Sequence, residues 1–375
     1  MKRNWRDLPV FAAQATTTDR LSITGLRAWR VKEPVSGRRY TVVRLESRGG
    51  LAGYGEGGPS LATDVAAAKA AVVGRRANET EFIRHRLAGL PAMEAAVNNA
   101  LLDLTAKTTN TPIYQYLGGP TRYKVRLLAQ LEGKDENALA PPLKRAIGHG
   151  FRAFMIPIPT RDAMMWQMQA YVDAVRDRVQ RMRTMAGAEF DLVLDAGGSL
   201  MPGDAAFIAT ALERNHLMWF EEPTNVHTSD GLGKISAESV MPVGIGRDIY
   251  DIGAFQSLLR FGCIDVLRPS LGLNSLAKIK RMAALAEIHY VAIAPFHSGG
   301  PIASVAAIHL AASLPNFYIQ QIPMPVSDED AAMRAEVTSG QQELARDGFA
   351  ALANKPGLGI QVNEQALTKY SEETI

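Results

Sequence analysis

Cysteine is nearly absent from this sequence, and other features that mark particular protein classes are missing as well. Cys263 is the single cysteine among 375 residues, so no disulfide can form within the chain, and we expect a reducing, cytoplasmic location. No apolar run approaches the ~20 residues that a membrane-spanning helix needs. The 41 basic and 38 acidic side chains give a net charge of only +3 without a long basic run, which gives no support for nucleic-acid binding.

The N-terminus also lacks a complete export signal. The first 15 residues contain basic side chains and small alanines, but Asp7 interrupts an apolar part that is already short. We therefore interpret this segment as the frayed N-terminus of a cytoplasmic protein.

Apolar residues make up 47% of the chain and occur in short runs that alternate with helical patterns. Five of these runs lead to polar residues spaced 23 to 27 positions apart: Asp195, Glu221, Arg247, Ser270 and His297. A strand, a helix and two loops need about that much chain. Eight such strands favour a (β/α) barrel over an open sheet. The predicted strands lie at 123–131, 151–159, 190–198, 217–223, 241–248, 263–270, 290–298 and 317–323.

The residues before this barrel predict a separate α+β module. Two alternating segments at 21–31 and 39–47 indicate strands, and the Gly-rich stretch at 49–61 is interpreted as a mobile loop. The predicted helices of the module lie at 63–76, 79–89 and 92–107. We divide the chain into an N-terminal module at 1–122, a barrel at 123–325, and a C-terminal segment at 326–375 that returns to the first module.

Carboxylates at the ends of adjacent strands indicate chemistry at the mouth of the barrel, where such folds place their active sites. Asp195 and Glu221 follow neighbouring strands, so we expect their side chains to converge. With a third carboxylate they would suit Mg²⁺, which prefers oxygen ligands. That ion would stabilise the enediolate formed when a proton leaves the carbon next to a carboxylate. His297 is a candidate general base because imidazole titrates near neutral pH; the alternative is a buried structural histidine.

Several motifs occur in order along the chain: GYGEGGPS, LVLDAGG, WFEEP, APFHSGGPIA and KPGLGI. Together they resemble the enolase superfamily, most closely its mandelate racemase and sugar-acid dehydratase branch. The resemblance covers nearly the whole chain and implies a modified (β/α) TIM-type barrel with an N-terminal α+β capping domain, in which GYGEGGPS is a mobile capping loop. It also implies a homo-oligomeric enzyme that dehydrates or epimerises a hydroxy acid or sugar acid. The implied metal ligands are Asp195 and Glu221, and the implied acid/base is His297.

Five positions depart from the pattern of that family. Arg247 takes the place of the third metal-binding carboxylate, and Ser270 takes that of the acid that usually partners the histidine. Gln321 replaces a glutamate that often acts as an electrophilic partner of the substrate. Met155 and Pro157 replace a pair of acid/base lysines. Loss of the lysines disfavours two-base racemisation, which needs a proton donor on each face of the substrate.

Arg247 is the most consequential of these changes. If its side chain points inward, its guanidinium group would bridge Asp195 and Glu221 through paired hydrogen bonds and would repel Mg²⁺. We therefore predict weak or absent Mg²⁺ binding. The alternative is that a shifted backbone turns Asp248 inward as a substitute ligand. Glu222, next to the second carboxylate, is expected to form a structural ion pair.

Two functions follow from these residues. The first is dehydration, or epimerisation, of a hydroxy acid or sugar acid; the second is binding of such an acid by a catalytically weakened, metal-free relative. The candidates for catalysis are His297, Arg247 and Gln321, and the candidates for substrate contact are Met155, Pro157, Ser270 and Gly299. The backbone N–H groups of Gly299 and Gly300 would hold a substrate carboxylate, or else form a tight strand–helix turn. No nucleic-acid or membrane partner is expected.

Overall fold

The N-terminal part of the chain folds as an antiparallel sheet covered by helices. The computed structural model describes residues 19–161, 167–340 and 345–375. The elements of this part are β1 (Ile23–Lys32), β2 (Arg39–Ser47), β3 (Ala52–Gly57), α1 (Ala62–Val72), α2 (Thr80–Arg86), α3 (Pro91–Thr108) and the short α4 (Ile113–Tyr116). Side chains such as Leu45, Val97 and Leu101 form a core between the sheet and the helices. We call this part the capping domain.

Strand β3 occupies residues 52–57 of the stretch at 49–61, so the expectation of a loop is wrong for those residues. The strand pairs antiparallel with β2 and packs against α3. A Cβ atom on Gly53, Gly55 or Gly57 would lie 2.1–2.2 Å from a carbonyl oxygen of that helix. The glycines alternate because only one face of the strand meets the helix. They allow close packing of backbone on backbone, and residues 52–57 therefore form a strand packed against α3.

In the described part of the chain, eight parallel strands form the predicted barrel. They are β4 (Lys124–Gln130), β5 (Ala153–Pro157), β6 (Asp191–Asp195), β7 (Phe220–Glu221), β8 (Val243–Ile245), β9 (Val266–Leu267), β10 (Ala292–Ile293) and β11 (Gln320–Ile322). Strands β4 to β10 lie side by side in chain order, and β11 pairs with β4. Parallel bridges from Ile293 to Phe317 and from Phe296 to Gln321 close the ring. The barrel fold is thereby confirmed.

Helices surround the barrel. They are α5 (Glu136–Gly148), α6 (Met168–Ala186), α7 (Pro202–Leu212), α8 (Ser229–Glu238), α9 (Ile252–Arg260), α10 (Leu276–Ile288) and α11 (Pro301–Ala311). The sequence predicts a helix from 162 to 186; its first residues, including Met164 and Met165, lie outside the described residues, as do the first 15 residues of the chain. Within the described ranges, no helix has both the length and the apolar character needed to cross a membrane.

The inside of the barrel has an apolar floor below a polar layer. Alternate residues of each strand point inward. Leu128, Val193, Trp219, Val266 and Ile319 belong to a buried apolar cluster at this level. Two residues further along the same strands, the inward positions hold Gln130, Asp195, Glu221, Arg268 and Gln321. The polar layer therefore rests on a packed base, which limits its freedom to rearrange.

The C-terminal segment contacts both parts of the molecule. Its elements are α12 (Asp328–Val337), β12 (Thr338–Ser339), β13 (Phe349–Ala351), β14 (Gln361–Val362), α13 (Glu364–Lys369) and β15 (Ser371–Thr374). β13 pairs with β4 of the barrel, and β15 pairs with β1 of the capping domain. The division of the chain at 122 and 325 remains a prediction.

Candidate active site

Four charged side chains meet at the mouth of the barrel, and we call them the ion-pair cluster: Asp195, Glu221, Arg247 and Arg268. Arg247 Nη2 lies 2.8 Å from Asp195 Oδ2, and Arg247 Nε lies 2.6 Å from Glu221 Oε1. The guanidinium group thus bridges the two carboxylates. Both carboxylates are buried, whereas 18% of the Arg247 side chain remains exposed. Solvent therefore reaches the cluster mainly through Arg247.

Arg268 completes the cluster, and sequence reasoning missed it. Its Nε donates to Glu221 Oε1 at 2.9 Å, while Trp219 Nε1 donates to Glu221 Oε2 at 2.5 Å. The side chains of Arg268 and Glu221 are both fully buried. The signal was present in the run CIDVLRPS, where alternation places Arg268 on the same face as the core residue Val266. A charge in an inward position of an apolar strand needs a partner.

Hydrogen bonds extend the cluster across the barrel. Arg268 Nη2 donates to Gln321 Oε1, and Gln321 Nε2 donates to Gln130 Oε1 at 2.7 Å. On the opposite side, the Met155 sulfur lies 3.0 Å from Arg247 Nη2. The structure therefore brings two further sequence-predicted residues, Gln321 and Met155, into contact with the cluster.

Pairing keeps the charges of the cluster balanced. Burial lowers the pKa of Arg247, but the negative charges of Glu221 and Asp195 outweigh burial and raise that pKa above its ordinary value. Burial lowers the pKa of Arg268; Glu221 opposes this shift and the nearby charge of Arg247 adds to it. Arginine stays protonated in proteins under ordinary conditions. Two cations therefore face two carboxylates, and the cluster is formally neutral.

Mg²⁺ does not fit this arrangement. The two oxygens of Glu221 accept hydrogen bonds from arginine and tryptophan side chains, and Asp195 Oδ1 accepts the N–H of Gly197 at 2.9 Å. A metal would have to displace these donors beside a fixed guanidinium cation. Among the residues that the structure describes, no group of three or more His, Cys, Asp and Glu side chains could hold a metal ion. Asp248, the possible substitute ligand, is exposed.

His297 does not join the ion-pair cluster. Phe296 is the residue that faces it, with its ring centroid 5.8 Å from Arg247 Cζ. Because side chains alternate along an extended chain, His297 lies on the other side. Its Nδ1 accepts the N–H of Gly299 at 3.2 Å, and its Nε2 lies 3.1 Å from Ser304 Oγ. Both ring nitrogens are therefore engaged away from the barrel axis.

The surroundings of His297 keep the imidazole neutral and enclosed. Burial, followed by the charges of Arg334 and Arg38, lowers its pKa well below the ordinary histidine value. The space beside the ring measures about 10 Å³. That is roughly the volume that a single water requires. In this conformation a sugar acid does not reach His297.

A carboxylate of the protein itself occupies the start of α11, where a substrate carboxylate was expected. Glu56 of β3 accepts the N–H of Gly300 through Oε1 and that of Ala303 through Oε2, the latter at 3.0 Å. The N–H of Gly299 donates to His297. A helix N-terminus favours an anion, and the capping domain supplies it. The substrate contact expected at Gly299 is therefore not available in this structure.

Ser270 and Pro157 lie at the mouth without contacting the guanidinium groups through hydrogen bonds. Ser270 Oγ accepts the N–H of Gly272 at 3.2 Å and so closes a turn. Pro157 lines an open groove of about 610 Å³ that reaches Asp195. This groove gives solvent a second approach to the cluster.

Glu222 forms the expected ion pair, and its partner is His227. Glu222 Oε2 lies 3.2 Å from His227 Nε2, while Oε1 accepts the N–H groups of Gly246 and Arg247 at 2.7 and 2.9 Å. The hydrogen bond to Glu222 raises the pKa of His227, although burial opposes this shift. Glu222 has a φ of 40°, a conformation that disfavours a non-glycine residue. These contacts anchor the turn that carries Arg247.

Two family models match the chain. Residues 139–366 match the model described as enolase C-terminal domain-like, and residues 30–118 match the N-terminal domain of mandelate racemase / muconate lactonizing enzyme. The first match alone covers more than half of the chain. The protein belongs to the enolase superfamily. The resemblance inferred from the sequence motifs is thereby confirmed.

Relatives of this enolase superfamily member include sugar-acid dehydratases. The D-galactonate dehydratase of Verminephrobacter eiseniae is 28% identical over 371 residues, which cover 94% of this chain and 95% of the relative. The mandelate racemase/muconate lactonizing enzyme-like protein of Rubrobacter xylanophilus has a TM-score of 0.82 at 22% identity, covering 94% of this chain and 98% of that one. An enolase of Agrobacterium radiobacter with bound Na and L-malate has a TM-score of 0.81 at 22% identity, and the match covers 93% of this chain and 95% of that one. At these identities the solved structures establish the fold alone.

Proposed function

We propose that this protein binds a hydroxy acid or sugar acid at the mouth of its barrel and does so without Mg²⁺. The proposal that Mg²⁺ is not needed is supported by the position of Arg247, which pairs with both Asp195 and Glu221. A guanidinium group there is a permanent cation where relatives would place a metal. The acid as ligand class is supported by the D-galactonate dehydratase relative and by the similar structure with bound L-malate.

Dehydration is the reaction that we propose for this acid. A base takes the proton from the carbon next to the carboxylate, and the electron pair forms an enediolate. Collapse of the enediolate then expels the hydroxyl group from the neighbouring carbon. This hydroxyl group takes up a proton and leaves as water. Guanidinium groups at the barrel mouth would stabilise the negative charge that develops on the oxygens of the carboxylate. His297, the acid/base implied by the resemblance, would first have to release Gly299 and Ser304.

Binding without turnover is a second candidate function. It is favoured by the placement of His297, whose two ring nitrogens are hydrogen-bonded outside the ion-pair cluster. Epimerisation has less support, because Met155 and Pro157 provide no proton donor on the second face. We further propose that the chain assembles as a homo-oligomer in the cytoplasm, which light scattering of the purified protein and cell fractionation would test.

Solvent deuterium exchange separates these functions. Protein treated with EDTA is incubated in D₂O with a panel of aldonates and aldarates, and deuterium at the carbon next to the carboxylate is followed by NMR together with dehydration product. Deuterium exchange or dehydration product in the absence of Mg²⁺ supports the dehydratase function. Loss of that exchange in His297→Asn identifies His297 as the base. Binding by calorimetry without exchange supports the second function. Activity that appears only on addition of Mg²⁺ contradicts the metal-free proposal.

A further inference from the structure

A cavity beside the ion-pair cluster has the composition of a carboxylate-binding site. It has a volume of about 300 Å³ and lies where the capping domain meets the barrel mouth. Its lining includes Arg38, Gln130, Glu132, Arg145 and Met324. The volume falls at the lower end of the range of roughly 300–1,000 Å³ that is typical of small-molecule pockets.

The ion-pair cluster fixes which way the amide of Gln130 faces. Arginine has donors and no acceptor, so Gln321 must present its oxygen to Arg268 and its nitrogen to Gln130. Gln130 therefore uses its oxygen to bind Gln321. Its NH₂ group, which has no hydrogen-bond acceptor among the described residues, remains for the cavity. A donor is thus held in place by a chain of buried hydrogen bonds.

Two arginines reach the same cavity from different elements. Arg38 lies directly before β2 in the capping domain. Its Nη1 donates to the Met324 carbonyl at 2.6 Å and lies 3.6 Å from Oε2 of the buried Glu33, and these contacts hold its guanidinium group at the lining. Arg145 belongs to α5; within the described residues its ion-pair partner is Asp328 at 3.9 Å, beyond hydrogen-bond distance. Both therefore retain N–H groups for an anion. Glu132 adds an acceptor that suits a hydroxyl group.

The ion-pair cluster itself is a poor place for a substrate carboxylate. Asp195 and Glu221 already pair with Arg247, and a third carboxylate would bring like charges together without a metal to offset them. In the cavity, two guanidinium groups face the single lining carboxylate of Glu132, and an oriented amide adds a further donor. We propose that the carboxylate of the acid substrate binds in this cavity to Arg145, Arg38 and the Gln130 amide, with a substrate hydroxyl donating to Glu132. This inference rests on the proposed function and deepens it.

Calorimetric titration of the full-length protein with D-galactonate tests the assignment. Arg145→Gln removes a guanidinium group, and Gln130→Glu replaces the NH₂ donor by a carboxylate oxygen of the same reach. Each is expected to weaken D-galactonate binding about tenfold or more, the effect of losing a charged hydrogen bond. Arg145→Lys should restore part of the affinity. Lys144→Gln, at the exposed neighbouring position of α5, is the matched control and should bind like wild type.

The outcomes separate this inference from the function on which it rests. If Arg145→Gln and Gln130→Glu both bind D-galactonate like wild type, the inference is overturned; loss of binding in Arg247→Gln would then locate the carboxylate at the ion-pair cluster and leave the proposed function standing. Equal affinity for the uncharged polyol galactitol also overturns the carboxylate assignment. If wild type binds neither D-galactonate nor galactarate, the proposed function fails and the inference fails with it.

Discussion

Arg268 and Glu221 form an ion pair, 2.9 Å between Nε and Oε1, in which both side chains are completely buried. Forming such a pair brings little net stability, because desolvation of two charges offsets their attraction. Removing one partner is different, since it leaves an uncompensated charge in the interior. The pair therefore makes each residue dependent on the other. It also holds Glu221 in place independently of Arg247.

Arg268→Met is expected to lower the free energy of unfolding by about 3–5 kcal/mol, because Glu221 loses its fully buried partner. Urea unfolding, followed by circular dichroism, measures the change. Arg176→Met is the control, because Arg176 pairs with Asp173 on the exposed surface of α6 and should change stability far less. The double variant Arg268→Met/Glu221→Gln should recover part of the loss. Equal effects of the buried and surface substitutions would contradict the prediction.

Arg247→Asp is expected to create a Mg²⁺ site, because a third carboxylate would replace the resident cation beside Asp195 and Glu221. Calorimetry should show stoichiometric Mg²⁺ binding by this variant and none by wild type. At a Mg²⁺ concentration of about 100 times Kd, the free energy of unfolding should rise by about 2.7 kcal/mol. Binding should persist when Asp248→Asn is added. Stoichiometric binding by the wild-type protein would refute the interpretation of Arg247.

Gly55→Ala should destabilise the capping domain, because the new Cβ would lie 2.1 Å from the Ala96 carbonyl oxygen of α3. Overpacking of this kind lowers the free energy of unfolding by about 1–3 kcal/mol. Gly148→Ala, at the end of α5, is the control because a Cβ there meets nothing within 4 Å. That substitution should be neutral or slightly stabilising. Thermal unfolding of the two variants side by side gives the comparison, and similar midpoints would count against β3 packing on α3.

The pair of His227 and Glu222 should make stability depend on pH. The folded protein raises the pKa of His227 above the ordinary value of 6.5, so the folded state binds this proton more tightly than the unfolded state. The stabilisation is fully present below pH 6.5 and is lost as the pH rises through the folded-state pKa. His227→Gln should therefore reduce stability more at about pH 5.5 than at about pH 9.

Urea midpoints of wild type and His227→Gln at both pH values measure this difference. Burial lowers the pKa values of His297 and His309, so these two residues contribute to stability with the opposite pH dependence. Both proteins contain them, and their contributions cancel when the stability of the variant is subtracted from that of wild type. His289→Gln, at an exposed position after α10, serves as the matched histidine control. A His227 effect that is equal at both pH values would show that the protonated ring gains nothing from Glu222.

The sequence alone was sufficient to predict the eight strands, the family and the meeting of Asp195, Glu221 and Arg247. The strands and the meeting of Asp195 and Glu221 depend on local periodicity and on the spacing of strand ends, which are written along the chain. The family was inferred from the resemblance of ordered motifs, and the family pattern singled out Arg247 at the position of the third ligand. The bridge between the two carboxylates was predicted for an inward Arg247 side chain, with an inward Asp248 as the alternative, and the structure has the bridge. Such inferences need no knowledge of how distant segments pack.

Tertiary structure decided the rest. The His297 side chain points away from the barrel axis because Phe296 pairs with Gln321 where the barrel closes. The spacing of strand ends does not encode that register. The carboxylate at the start of α11 comes from Glu56, 244 residues away in the chain from Gly300. Glycines that look flexible in sequence become a rigid strand only because α3 lies against them. Patterns along a chain specify elements and their faces, whereas contacts between distant faces determine which polar groups remain free to act.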